Sequence, residues 1–215
     1  MDTLNTNRTL SASSRREMPA DKKWPARFSR YGPLARFLVA LALALYIALL
    51  PAAAQTHATE LQVKAAYLYN FGKFVRWPAE TNPGASPFEI CVLGKDPFQS
   101  ILEATVTGES IDGKSIAVKR LAGVQEASAC NILFISSSEE LRLKSILAAT
   151  QQLSILTVSD IPHFAERGGV IGFLWREERI RFEVNLGAAE LSHLALSSEL
   201  LKVASHVISK AAPQA

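Results

Sequence analysis

The stretch ATELQVKAAYLYNFGKFVRWP, from Ala58 to Pro78, constrains the fold more than any other part of this 215-residue chain. Leu61, Ala65, Leu68, Phe71 and Val75 recur every three or four residues, the repeat of one helix face. Thr59 is placed to cap that helix, and Glu60 suits the positive end of its dipole. Pro78 ends it, because the residue before a proline is pushed out of the α region. A surface helix is polar on its other side. Here Asn70, Phe74 and Trp77 follow one another at four and three residues and carry aromatic rings there. The helix is expected to be covered on both sides, by its own domain or by a partner.

Ahead of it the chain changes character. Eight of the 23 Lys and Arg lie between Met1 and Arg36, and the uncharged run FLVALALALYIALL spans Phe37 to Leu50. Pro51 and three alanines follow. A basic segment, an apolar core and small residues at the exit describe a secretory signal cut after Ala54. The basic part is longer than such a signal needs, and Met18 offers an alternative start. The rival is an uncleaved anchor, but the apolar run falls short of the ~20 residues a spanning helix uses. This divides the chain into residues 1–54, extension and signal peptide, and residues 55–215, a single exported domain. Removing eight basic and three acidic side chains leaves 15 against 17, a net charge of −2. Nucleic-acid binding needs a clustered positive surface, so it is not expected. Cys91 and Cys130 both fall in the exported part. In an oxidising compartment they can close a disulfide, or they remain as two buried thiols.

Along the exported part, Glu80 to Pro87 reads as a turn-rich linker. FEICVL (Phe88 to Leu93) reads as a strand, followed by a short helix capped by Asp96 with Pro97 at its first position. Turn signals occupy Thr107 to Lys114, and Ser115 to Leu121 alternates as a second strand. NILFI (Asn131 to Ile135) and Ile155 to Val158 are apolar throughout, as strands covered on both faces are. Ser138 opens a helix between them, with Leu143, Ile146 and Leu147 as its stripe. Val170 to Trp175 and Ile180 to Leu186 form a hairpin. A long C-terminal helix is expected from Ala188 to Ser209, again with two apolar sides. The pattern is that of a three-layer, Rossmann-like α/β sandwich with a mixed sheet.

Familiar chemistry is missing. Neither a dinucleotide-binding nor a phosphate-binding glycine motif follows the first strand, and no nucleophile elbow appears. His57, His163, His193 and His206 lack metal-ligand spacing. Asp160 and His163, at a strand end, are the best catalytic pair, yet they read more simply as a turn cap beside Pro162. Arg181 and Glu183 form the other polar pair. They are either an exposed strand face or the wall of a groove beside Trp77 that orients a ligand or a partner. No catalytic residue, cofactor or metal is indicated.

AAYLYNFGKFVRWP, FEICVLG, CNILFIS, ILTVSD, GGVIGF and IRFEVNLGAAE running into SSELLKVA together resemble the YfiR-like family of exported proteins, in order from Glu60 to Val207. The resemblance implies a periplasmic, non-enzymatic repressor, Rossmann-like in fold and dimeric. Such a repressor holds an inner-membrane diguanylate cyclase inactive through its periplasmic domain, controlling cyclic di-GMP. An outer-membrane lipoprotein sequesters the repressor in turn. The resemblance also implies a disulfide between Cys91 and Cys130. A second family cysteine pair has no counterpart in the loop from Pro162 to Gly172, which is therefore expected to be looser. Glu183 matches a glutamate of the family's binding surface, and Tyr67, Asn70, Phe74 and Trp77 match its helix motif. The partner or ligand surface is thus expected at Tyr67, Asn70, Phe74, Trp77, Arg181 and Glu183. The alternative function is a periplasmic small-molecule sensor.

Overall fold

The computed structural model describes residues 52–78 and 86–209, with Gly32, Leu38, Val39, Leu41 and Leu43 ahead of them. The chain divides into two units, Met1–Leu50 and Pro51–Ala215. Most of the expected leader and most of the expected linker after Pro78 lie outside the described residues. Among the described residues, no helix is long and apolar enough to cross a membrane.

The second unit opens with α1 (Ala52–Phe74), which starts earlier and stops sooner than its periodicity suggests. Thr59 lies inside the helix rather than at its cap. Val75 leaves it as β1 (Val75–Arg76), which pairs antiparallel with β9 (Ala195–Leu196) in a two-stranded ribbon. Trp77 is therefore not a helical residue. The main sheet follows: β2 (Phe88–Leu93), α2 (Ile101–Val106), β3 (Ser110–Ile111), β4 (Lys114–Leu121), β5 (Ile132–Ile135), α3 (Leu143–Thr150), β6 (Leu156–Ser159), β7 (Ile171–Arg176) and β8 (Arg179–Asn185). After β8 come α4 (Leu186–Leu191), β9, α5 (Ser198–Val203) and β10 (His206–Ile208).

The long C-terminal helix does not form. His193 adopts a left-handed backbone, φ 56°, which stops α4. Ser197 then accepts a hydrogen bond from the Leu200 amide and caps a new helix, and Ala204 is extended again. Two starts were also displaced. Asp96 accepts from the Phe98 amide in a turn, and α2 begins only at Ile101. Ser136, not Ser138, caps the 3₁₀ turn Ser137–Arg142 that leads into α3.

The eight strands run in the order β10-β8-β7-β6-β5-β2-β4-β3. Neighbours from β4 through β7 are parallel, while β8 and β3 run antiparallel to β7 and β4. The sheet is mixed and has a core on each face. Ile90, Val92, Phe134 and Val158 pack under α1 and α2, and Cys91, Leu93, Leu133 and Ile135 pack under α3. This is the expected three-layer α/β sandwich. Central strands with both faces covered carry apolar residues at consecutive positions, and β2, β5 and β6 are buried along their whole lengths. A disulfide joins Cys91 to Cys130, with Cα atoms 5.9 Å apart.

Candidate functional site

In a doubly wound sheet a ligand sits beyond the carboxyl ends of the strands, where the chain turns to opposite faces. Here that point lies between β2, which leads over one face to α2, and β5, which leads over the other to α3. Gly94, just after β2, has φ 89°. A Cβ there would stand 2.5 Å from Ser138 Oγ and 2.8 Å from Glu139 Oε1. The Lys95 amide donates to Ser138 Oγ at 2.9 Å, and Glu139 is buried in an ion pair with Arg142. The chain's own side chains thus fill the seat, and a carboxylate in it repels phosphate.

Asp160 and His163 are held by different partners. Asp160 accepts from Lys64 Nζ at 2.8 Å, and Lys64 also pairs with Glu60 at 2.7 Å. Lys64 is only 5 % exposed. Burial lowers its pKa, but the hydrogen bonds to Asp160 and Glu60 outweigh that and leave it raised. His163 turns outward to Glu166, 3.0 Å away. Ser159, not Asp160, caps the following turn by accepting from the Ile161 amide.

Glu183 is neither on an exposed strand face nor beside Trp77. Phe182 packs its ring on Tyr67 and Phe71 of α1, so the next side chain points to the opposite side of the sheet. There Glu183 is 6 % exposed, takes a hydrogen bond from the Ala165 amide, and crowds Gly172. Burial, then the nearby Glu166 charge, raises its pKa. Arg181 is half-buried on the same strand face. The groove expected between Trp77 and this pair is not assembled.

The loop that lacks the second cysteine pair is pinned by other means. Asn185 Nδ2 donates to the Ala165 carbonyl at 2.7 Å, and Thr157 Oγ1 accepts from the Val170 amide at 3.1 Å. Phe164 and Ala165 of the loop itself are fully buried. These short polar side chains do the clamping where looseness was expected.

Trp77 supports the fold. Its Nε1 donates to the Asn131 carbonyl at 3.2 Å, and its ring meets the edge of Phe88. The open side of α1 is instead the stripe Val63, Tyr67, Asn70 and Phe74, spaced four, three and four residues apart. Val63 and Asn70 are exposed, Tyr67 is half-buried, and Phe74 keeps 39 % of its surface in water. Val63 was missed from sequence, although it completes the four-residue spacing to Tyr67. Trp175, on the β7–β8 hairpin, is another exposed ring the motifs did not single out.

These features define a disulfide-stapled, doubly wound α/β domain whose crevice is closed and whose first helix leaves Val63, Asn70 and Phe74 exposed. The chain belongs to the YfiR/HmsC-like family, whose model matches residues 61–205. Members of that family are periplasmic regulators of diguanylate cyclase signalling rather than enzymes. The disulfide agrees with an oxidising compartment. No curated protein matches the chain. Among solved structures, a conserved domain protein from Vibrio cholerae O1 biovar El Tor is similar at 10 % identity and a TM-score of 0.44, over 55 % of this chain and 54 % of its own. The ABC domain from Streptococcus pneumoniae, solved in complex with L-Trp, is similar at 10 % identity and a TM-score of 0.43, over 56 % and 55 %. The chain spans about half the length of each.

Proposed function

We propose that this protein is a periplasmic, non-enzymatic repressor that holds an inner-membrane diguanylate cyclase inactive by contact with its periplasmic domain. Family membership carries the reading. The stripe Val63–Tyr67–Asn70–Phe74 supports it, because an exposed aromatic flanked by polar residues has the composition of an interface anchor. Repression is then linkage: the repressor binds one conformation of the cyclase and shifts its equilibrium by the difference in affinity. An outer-membrane lipoprotein that competes for the repressor relieves it, and the repressor acts as a homodimer.

Deleting the gene is expected to raise cellular cyclic di-GMP, and wild-type protein should restore the low level. Phe74→Glu should fold normally and fail to restore it. Unchanged cyclic di-GMP on deletion sinks the proposal. Full complementation by Phe74→Glu would move the contact face off α1.

A further inference from the structure

Glu89 is buried, 8 % exposed, on the same face of β2 as Cys91. Its Oε1 receives Lys119 Nζ at 2.6 Å, whereas its Oε2 is buried and has no hydrogen-bond partner among the described residues. A buried carboxylate oxygen without a donor is costly and calls for a physical reason. One is at hand: a carboxylate oxygen of Glu89 and the sulfurs of Cys91 and Cys130 lie within 4.8 Å of one another, all from buried residues. In the oxidised protein the sulfurs are bonded together and offer the carboxylate nothing.

We infer that, once the disulfide is reduced, Cys91, Cys130 and Glu89 form a binding site for a thiophilic divalent cation, Zn²⁺ above all. Thiolate sulfur and carboxylate oxygen are both zinc ligands, and three protein ligands leave the fourth position to water. The sulfurs would have to part to about 3.8 Å, the separation in a tetrahedron with metal–sulfur bonds of about 2.3 Å. Cα atoms 5.9 Å apart permit this by side-chain rotation. Charge closes as well, since the three anionic ligands are balanced by the dication and the ammonium of Lys119. A dithiol reductant gives the disulfide two electrons and two protons and becomes a disulfide itself. Each cysteine then releases its thiol proton to solvent as it takes up the metal. The same residues therefore staple the domain when oxidised and hold a cation when reduced.

The full chain, reduced without oxygen by a phosphine that ends as its oxide, is titrated with Co²⁺ and then Zn²⁺. The expected result is one equivalent of Co²⁺ with thiolate-to-cobalt charge-transfer absorption, displaced by Zn²⁺, and a raised melting temperature. The oxidised chain should show none of this. Reduced Glu89→Gln should bind at least about tenfold more weakly, as loss of a direct ligand demands. If reduction alone unfolds the chain, recovery of its circular dichroism with one equivalent of metal supports the site, and failure to recover overturns it. Absence of the charge-transfer band in reduced protein, unchanged affinity in Glu89→Gln, or equally tight binding in urea would each overturn it too.

Discussion

Glu183 and Lys64 are both buried charges, and their linkage to pH has opposite practical meaning. The Glu183 carboxyl is pushed above its ordinary value of 4.5, first by burial and then by Glu166. An acid raised on folding contributes stability that is fully present below its unfolded pKa and lost as pH rises through the folded one. At neutral pH its charge therefore weakens the fold. Glu183→Gln should melt higher than wild type at pH 7, with the gain fading toward pH 4 in thermal scans. Lys64 is raised above its ordinary 10.5, so the part of its pairing that depends on its own proton is lost only as pH climbs through the folded pKa. Lys64→Met leaves the buried side of the Asp160 carboxylate without the ammonium it accepts from and should cost about 3 kcal/mol in urea unfolding. Neither role was legible in the sequence. Lys64 sits in the opening helix stretch, but Asp160 is 96 residues away, and spacing along a chain says nothing about pairs that only a folded sheet brings together. Glu183 alternates as an outward strand residue should. What alternation cannot report is whether a loop covers that face.

At the scale of elements, α1 has two sides that its sequence runs together. Leu61, Ala65, Leu68 and Phe71 were read correctly as the core face and are buried. The second side was misread at its end, because Val75 departs into β1 and takes Trp77 with it. Trp77→Ala should cost about 2 kcal/mol in unfolding, less than a fully buried tryptophan. Phe74→Glu should stay within about 0.5 kcal/mol of wild type. Comparing the two by denaturant titration separates support of the fold from contact. The C-terminal region failed for a related reason. Leu194, Leu201 and Ile208 do fit a helical repeat, but the same residues serve a turn, a short helix and an edge strand. Ser197-Ser198-Glu199 was the missed signal, a cap followed by an acid in the first turn.

For the molecule as a whole, the layers were readable because a strand with both faces covered must be apolar at consecutive positions, as NILFI is. The order of strands was not, since hydrophobic pattern carries no record of neighbours. The disulfide ties β2 to the chain just ahead of β5 and closes 39 residues of chain. Replacing both cysteines by serine should cost about 4 kcal/mol of unfolding free energy in the entropy model, measured against oxidised wild type.

The ribbon of β1 and β9 sets Val75 opposite Leu196 and Arg76 opposite Ala195, and the Ser197 amide donates to the Phe74 carbonyl. Two segments 121 positions apart thus share one small patch of packing, between Val75 and Leu196. In an alignment of many relatives, bulk lost at position 75 should be regained at 196, so that the pair drifts together over evolutionary time.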